Sequence, residues 1–204
     1  MIKKGIILAG GLGTRMSPLT KSVNKQLLPI YDKPLIYYPI SILMLAGIRE
    51  ILIIVNKGSI GQFKKLLLNG ENFGINITYA EQKKPAGLPD AFKIGKNFIG
   101  KDNVALILGD NFLYAQSLSE KLSSITKLKK GATILAHPVK NPNRFGVVTL
   151  KGKKILNLVE KPKKTKSNLA ITGLYFFDNT VILKTLKLKK SKRKEYEITD
   201  LLNL

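Results

Sequence analysis

Residues 6–15 read Ile-Ile-Leu-Ala-Gly-Gly-Leu-Gly-Thr-Arg. The apolar run Ile6–Ala9 has the composition of a buried strand, and three glycines follow it within four residues. A loop almost free of side chains lets backbone N–H groups approach a bulky anion such as phosphate. Arg15 adds a planar cation that suits phosphate oxygens. The stretch predicts a strand that runs into a phosphate-binding turn, and the alternative is a tight turn that needs glycine only for its backbone angles.

The glycine loop fits neither of two common nucleotide-binding motifs. It lacks the Gly-Lys-Ser/Thr ending of a Walker A loop. Met16 stands where the dinucleotide-binding motif has its third glycine. The type of phosphate ligand must therefore be inferred from residues further along the chain.

Length and composition limit the class of protein. The 204 residues, 44% of them hydrophobic, suit one folded α/β domain with a full core. The absence of cysteine excludes disulfides and thiolate metal sites and fits a reducing, cytoplasmic location. The apolar stretches have the length of strands, and the one at the N-terminus is too short for a signal peptide. We therefore expect no membrane partner.

The formal net charge of +22 makes polyanion binding a possible function. Aromatic residues are few and lie mostly in apolar runs, so no platform for stacking bases is evident. The basic runs Lys161–Lys166 and Lys187–Lys194 are interpreted as solvated surface. Nucleic acid is not expected as the main partner, and a polyanion-binding protein is kept as an alternative.

Strand and helix patterns alternate along the chain, which predicts a parallel sheet covered on both faces. From Phe145 the pattern changes to short strands, which predicts an antiparallel extension. The fold class is therefore α/β, a Rossmann-like, mixed and mainly parallel sheet with helices on both faces and a small antiparallel extension. We expect one domain over 1–204, with a nucleotide-binding part at about 1–140 and a sugar-phosphate part at about 141–204. Strands are predicted at 4–9, 51–55, 75–80, 104–108, 132–138, 146–150, 155–160 and 169–177, and helices at 34–46 (opened by Pro34), 60–68, 89–98, 117–128, 180–188 and 197–204.

Asp110 follows the apolar strand predicted at 104–108, directly after Gly109. The carboxyl ends of strands in α/β sheets border the crevice where ligands bind. Mg²⁺ takes hard oxygen ligands and often only one or two carboxylates. Asp110 is therefore the candidate metal ligand, and a role as a helix cap or turn residue is the alternative.

The segments Lys25–Pro29 and Asp32–Ile36 complete a wider pattern. With them the sequence resembles the sugar-1-phosphate nucleotidylyltransferases, and it looks most like the members that use dTTP and glucose 1-phosphate. The resemblance covers the chain from end to end. Further segments that match in order are Gly5–Arg15, Leu43–Ile48, Gly109–Asn111, Phe145–Val148, Glu160–Pro162, Ala170–Tyr175 and Glu197–Asp200.

The resemblance implies an enzyme in which an oxygen of the sugar 1-phosphate attacks the α-phosphorus of dTTP or UTP and pyrophosphate leaves. It implies Mg²⁺ as cofactor, a place in activated-sugar synthesis of the dTDP-rhamnose type, and a possible homo-oligomer. The implied catalytic residues are Arg15, Lys25, Asp110 and Lys161, with Asp110 on the metal. The implied nucleotide-binding residues are Leu8, Gly10, Gly11, Gly13, Thr14, Arg15, Gln26, Gln82, Gly87 and Asp110. The implied sugar-phosphate residues are Phe145, Gly146, Glu160, Lys161, Thr172, Gly173 and Tyr175.

The sequence departs from the family pattern at a few positions. Pro89-Asp90 replaces the usual small residue and glutamine, and Phe145 replaces a common tyrosine. The resemblance implies that family chains continue beyond the position of Leu204 to a second metal-binding aspartate, which no residue here matches. Two further alternatives are a binding protein without turnover and a uridylyltransferase. His137, the only histidine, lacks an evident partner and is expected to be structural.

Overall fold

The computed structural model describes residues 1–11, 13–152 and 154–204, so Leu12 of the glycine loop and Lys153 lie outside the described residues. The strands are Lys4–Ala9 (β1), Pro29–Ile30 (β2), Lys33–Pro34 (β3), Glu50–Asn56 (β4), Asn76–Gln82 (β5), Val104–Leu108 (β6), Ala132–Pro138 (β7), Gly146–Lys151 (β8), Lys154–Glu160 (β9) and Leu169–Phe177 (β10). The α-helices are Tyr37–Leu45 (α1), Ile60–Leu67 (α2), Asp90–Ile94 (α3), Lys96–Ile99 (α4), Leu118–Ile125 (α5), Val181–Lys187 (α6) and Ile198–Leu202 (α7). None of the helices in these ranges is both long enough and apolar enough to cross a membrane.

The main sheet is mixed, with the strand order β5-β4-β1-β6-β10-β8-β9. Strands β5, β4, β1 and β6 are parallel, whereas β10 is antiparallel to β6 and β8 is antiparallel to β9. The fold class predicted from the sequence is confirmed, including the change to antiparallel strands after Phe145. The parallel strands end together at the edge that carries the glycine loop and Asp110.

Strands β1, β4 and β6 are buried on both faces, as their uninterrupted apolar sequences indicate. Neighbouring residues point to opposite faces, so Ile7 belongs to one core and Ile6 to the other, each with 0% exposure. One core packs against α1, α2 and α5, and the other against α3, α4, α6 and α7. This two-sided packing holds the carboxyl ends of the strands in fixed positions.

Strand β10 changes partners along its length. Residues 174–177 pair with β6, and residues 169–170 pair with β8. Its pairing with β7 is irregular between Ile171 and Tyr175. Thr172 and Gly173 lie at this break, and the N–H of Gly173 donates to the side-chain oxygen of Asn111 at 3.2 Å. The break exposes backbone to a cavity beside the end of β6.

The prediction that Pro34 opens the first helix is wrong. Pro34 pairs with Pro29 in the short hairpin of β2 and β3, and α1 begins at Tyr37. The first-turn proline of this helix is Pro39, its third residue, where the missing N–H costs nothing because the first N–H groups of a helix have no partner within it. The apolar spacing was read correctly, but the proline was assigned to the wrong turn.

The helix predicted at 89–98 is interrupted. It forms α3 and α4 with Gly95 between them, at φ −80° and ψ 6°. A β-carbon on Gly95 would lie 2.9 Å from Cδ1 of Ile6 and 3.0 Å from the carbonyl oxygen of Ala91. Glycine is therefore needed here because the backbone packs directly on β1.

Candidate active site

Lys25 and Asp110 meet at the carboxyl edge of the sheet. The distance from Nζ of Lys25 to Oδ2 of Asp110 is 2.5 Å. Asp110 follows β6, and Lys25 begins a 3₁₀ turn over Lys25–Leu27 in which the side chain of Asn24 accepts a hydrogen bond from the N–H of Gln26. The two side chains are 27% and 35% exposed, so the pair borders solvent.

The glycine loop lies beside this ion pair. A β-carbon added to Gly109 would be 3.1 Å from Cα of Ala9 and 3.0 Å from Cγ of Gln26. The end of β1, the end of β6 and the turn that carries Lys25 therefore converge. We call the region bordered by the glycine loop, Lys25 and Asp110 the crevice.

Gly13 has a left-handed backbone, with φ 61° and ψ 26°. The hydroxyl of Thr20 donates to its carbonyl oxygen at 2.9 Å, which fixes the turn. Thr14 and Arg15 follow in a 3₁₀ turn, and both are exposed. Gly11 is also exposed, and its carbonyl oxygen accepts a bond of 3.4 Å from Asn56. The loop thus presents its backbone and the exposed Arg15 to solvent.

Gln82 connects the glycine loop to a cavity of about 260 Å³. Its side chain is 5% exposed, and its Nε2 donates to the carbonyl oxygen of Gly10 at 2.7 Å. Leu8 and Gly87 line the same cavity. Gly87 has φ 105°, and a β-carbon there would lie 2.1 Å from the carbonyl oxygen of Tyr196. Three of the residues predicted to bind the nucleotide therefore share one concave wall.

Gln26 is placed differently from the other residues predicted to contact the base. It is 3% exposed and lines neither the cavity of Gln82 nor the larger one beside it. Its Oε1 is buried and has no hydrogen-bond partner among the described residues. An unpaired buried amide oxygen is costly, so a donor from a ligand would stabilise it.

A second cavity, of about 620 Å³, contains the predicted sugar-phosphate residues. It shares Leu88, Glu160, Lys161 and Ile198 with the smaller cavity, so the two are adjacent. Lys161 has the unusual φ of 41°, held by the bond from its N–H to the carbonyl oxygen of Phe145 at 3.0 Å. The predicted residues that line this cavity are Phe145, Gly146, Glu160, Lys161, Thr172, Gly173 and Tyr175.

Sequence reasoning missed Arg193 and Glu197, which form the most extensive ion pair at the smaller cavity. Arg193 donates from Nε and Nη2 to the two carboxylate oxygens of Glu197, at 3.0 and 2.7 Å. Its Nη2 is also 3.7 Å from Oε1 of Glu160. Arg193 lies in the basic run interpreted as solvated surface, and the run alone could not single it out. The acidic residues that follow it were the available signal.

The environment shifts the pKa values of Glu160 and Glu197 in opposite directions. Burial, together with the charge of Glu197, raises the pKa of Glu160 above its ordinary value. Burial acts in the same sense on Glu197, but hydrogen bonds from Arg193 and Ser191 outweigh it and lower the pKa of Glu197. Arg193 thus pairs more closely with Glu197 than with Glu160, and Glu160 lines both cavities.

The surroundings of His137 and Asp110 are also described by the structure. His137 is exposed, lies in β7 and borders the larger cavity. Asp110 stands apart from other acids: within residues 1–11, 13–152 and 154–204, no three His, Asp or Glu side chains form a metal-binding group. A metal ion on Asp110 would need most of its ligands from a bound substrate or water.

The profile of the family described as nucleotidyl transferase matches residues 4–204. The chain belongs to the nucleotidyl transferase family. This nucleotidyltransferase is 54% identical over 199 residues to the glucose-1-phosphate thymidylyltransferase of Neisseria meningitidis, covering 97% of this chain and 69% of the relative. It is 52% identical over 198 residues to the enzyme of the same name from Mycolicibacterium smegmatis, covering 97% and 68%.

Solved structures show the same fold as this nucleotidyltransferase. A Bacillus anthracis protein classed as a glucose-1-phosphate thymidylyltransferase, in complex with a sucrose, superposes with a TM-score of 0.90 at 40% identity, over 98% of this chain and 81% of that one. A UDP-glucose pyrophosphorylase in complex with UDP-glucose superposes with a TM-score of 0.85 at 29% identity, over 99% and 86%. The neighbours therefore include proteins named for thymidine and for uridine nucleotides.

Proposed function

We propose that this protein transfers a thymidylyl group from dTTP to glucose 1-phosphate, forming dTDP-glucose and releasing pyrophosphate. The names of relatives that are about half identical to it support these substrates. The contact between Lys25 and Asp110 carries the proposal, because it brings the glycine loop and the acid to the same crevice. The product would enter activated-sugar synthesis of the dTDP-rhamnose type.

The crevice would hold the triphosphate. The backbone N–H groups of Gly10, Gly11, Gly13 and Thr14 can approach phosphate closely, because the glycines carry no side chain. Arg15 would neutralise the charge that develops on the leaving pyrophosphate, and Lys25 would neutralise the α-phosphate. Both reactants are anionic, so positioning and charge neutralisation account for most of the catalysis required.

Asp110 would hold Mg²⁺ together with phosphate oxygens and water, as this ion commonly binds in nucleotide enzymes. The carboxylate fits a cation, since an ammonium group already lies on its Oδ2. The bound ion would supply further neutralisation of phosphate charge. One carboxylate is enough for this role because the substrate provides the remaining anionic ligands.

The smaller cavity would hold the base. Nε2 of Gln82 is already committed to Gly10, so its Oε1 is the atom free to accept the N3–H that thymine and uracil share. Gly87 lets the backbone approach the base closely, and Leu8 gives an apolar floor. We propose that the buried Oε1 of Gln26, which has no partner among the described residues, accepts a hydrogen bond from the bound nucleotide.

The larger cavity would hold the sugar phosphate. Glu160 can accept hydrogen bonds from sugar hydroxyls, and the ammonium group of Lys161 can bind the phosphate. Thr172 and Gly173 lie at the break in β10, where backbone faces the cavity, and the buried hydroxyl of Thr172 has no partner within the described residues. Phe145, Gly146 and Tyr175 would complete the wall. Because the cavities adjoin at Lys161, an oxygen of the sugar phosphate could face the α-phosphorus.

A uridylyltransferase is the second candidate. The superposition on a UDP-glucose pyrophosphorylase favours it, and an acceptor for N3–H serves uracil as well as thymine. A catalytically inactive nucleotide-binding protein has the same contacts, so turnover has to be measured directly.

The test is pyrophosphate release with dTTP, UTP or dCTP, each paired with glucose 1-phosphate or another hexose 1-phosphate, with and without Mg²⁺. We expect the highest kcat/KM with dTTP and glucose 1-phosphate, a lower value with UTP, and loss of turnover without Mg²⁺. A preference for UTP would establish the second candidate. Tight binding of dTTP without any pyrophosphate release would instead identify a binding protein.

A further inference from the structure

Lys25 forms an ion pair with Asp110, the carboxylate to which the proposed function assigns the metal. Its ammonium group is 2.5 Å from Oδ2 of Asp110. Among the described residues, Lys25 is the only ion-pair partner of Asp110. A divalent cation on that oxygen and an ammonium group in contact with it would repel each other strongly at this distance.

We propose that Lys25 is a built-in counter-ion that competes with the metal for Asp110 and moves to the phosphates when metal and nucleotide bind. The inference rests on the proposed function. It adds that Lys25 alternates between two partners, Asp110 and phosphate. Metal binding to Asp110 would release Lys25 for the phosphates, and phosphate binding to Lys25 would release Asp110 for the metal.

The backbone of Lys25 is held in place, whereas its side chain is long and has several rotatable bonds. The turn Lys25–Leu27 is capped by Asn24, and the next side chain, Gln26, is buried. A β-carbon on Gly13 would lie 3.2 Å from Cβ of Lys25, so the lysine stem runs alongside the glycine loop. The flexible four-carbon stem can therefore carry the charge from Asp110 to the loop without any change in the backbone.

The exchange couples the two ligands. Metal binding at Asp110 releases Lys25, which raises the affinity for phosphate, and phosphate that attracts Lys25 raises the affinity for metal. The two effects must be equal in size, because coupling between binding sites is reciprocal. The metal must displace Lys25 from Asp110, and the attraction between two unit charges at about 4 Å in water corresponds to about fivefold in a binding constant, which sets the expected scale.

The test measures Mn²⁺ binding without nucleotide, by the loss of the free Mn²⁺ signal in electron paramagnetic resonance. The variants are Lys25→Met, which keeps the length of the stem, Lys25→Gln in case the first does not fold, and Lys25→Arg. Lys21→Met is the matched control, since this exposed lysine ends the preceding 3₁₀ turn and makes no ion pair among the described residues. Asp110→Asn tests the metal ligand itself, and circular dichroism checks the folding of each variant.

We expect Lys25→Met and Lys25→Gln to bind Mn²⁺ about fivefold more tightly than the original protein. Lys25→Arg and Lys21→Met should stay within about twofold of it, and Asp110→Asn should bind far more weakly. Equal affinity in the original protein and both neutral Lys25 variants, with Asp110→Asn still weak, would overturn this inference alone. Unchanged affinity in Asp110→Asn would overturn the metal assignment, and with it this inference.

Discussion

Gln82 donates a hydrogen bond from Nε2 to the carbonyl oxygen of Gly10, with 2.7 Å between the two atoms. The bond joins the end of β5 to the glycine loop across 72 positions of sequence. Through this bond the glycine loop, which we assign to the triphosphate, orients the side chain of Gln82, which we assign to the base. Two parts of one nucleotide would thus be recognised by a single connected unit.

Gly10→Ala should disrupt this unit. The added methyl would lie 2.1 Å from Nε2 of Gln82, so the buried side chain must move and lose its bond to the loop. We expect a loss of about 1–3 kcal/mol in the free energy of unfolding, measured by urea denaturation, and a higher KM for dTTP. For the free energy of unfolding, Gly11→Ala is the control, because a β-carbon there meets nothing within 4 Å among the described residues. Equal effects of the two variants would contradict the coupling of Gln82 to the loop.

Gly87→Ala should be more harmful than a substitution at another left-handed glycine. Its methyl would lie 2.1 Å from the backbone oxygen of Tyr196, which cannot move aside as a flexible side chain could. Gly47→Ala is the control, since Gly47 also has a positive φ, of 77°, but open space around it. We expect a loss of about 1 kcal/mol for Gly47→Ala and a clearly larger loss for Gly87→Ala, together with weaker dTTP binding. Similar thermal stability of both variants would refute the close packing of Gly87 on Tyr196.

Glu197→Gln should destabilise the protein in a pH-dependent way. The lowered pKa of Glu197 means that its stabilisation is present above the unfolded-state pKa, near 4.5, and is lost as the pH falls through the folded-state value. We expect a loss of about 2 kcal/mol at pH 7 by urea denaturation, shrinking as the pH drops below 4.5. Glu195→Gln is the control, because this more exposed acid makes only one bond to Arg193, of 3.1 Å. A loss that does not depend on pH would contradict the role of the charge.

Glu160→Gln should stabilise the protein at pH 7, whereas Glu197→Gln should destabilise it. The raised pKa of Glu160 means that the folded state binds the extra proton more readily, so stability declines as the pH rises from 4.5 through the folded-state value. Removing the charge should raise Tm at pH 7 by about 2 °C and leave it unchanged below pH 4.5. Thermal melts at the two pH values measure this. A lower Tm at pH 7 would show that Glu160 is already fully paired in the folded protein.

Four strands of the main sheet follow directly from the sequence. β1, β6, β7 and β10 begin and end at the predicted residues, because apolar runs bounded by glycine, proline or charged residues define buried strands well. The short hairpin of β2 and β3 was missed, since two-residue strands carry no periodicity. The break at Gly95 was also missed, because it depends on contact with Ile6 from a distant part of the chain.

Some residues of the candidate site could be predicted from the sequence, and others are revealed only by the fold. Residues within linear motifs, such as Gly10 and Asp110, could be singled out from spacing and chemistry. The ion pair of Arg193 with Glu197 could not, because a lysine-rich chain offers many basic residues and only the fold shows which one meets a buried acid. Lys25 and Asp110 were expected at the same site, but their direct ion pair was not predicted, since 85 positions separate the two residues.

The most direct test of the account compares Mg²⁺-dependent pyrophosphate release from dTTP and glucose 1-phosphate by the original protein and by Asp110→Asn. Asp102→Asn is the control, an acid that also pairs with a lysine, at 2.8 Å from Nζ of Lys4, but lies elsewhere on the surface. We expect kcat to fall at least about a hundredfold in Asp110→Asn and to stay near the original value in Asp102→Asn. Undiminished Mg²⁺-dependent turnover in Asp110→Asn would contradict the central claim that the glycine loop, Lys25 and Asp110 form one catalytic crevice.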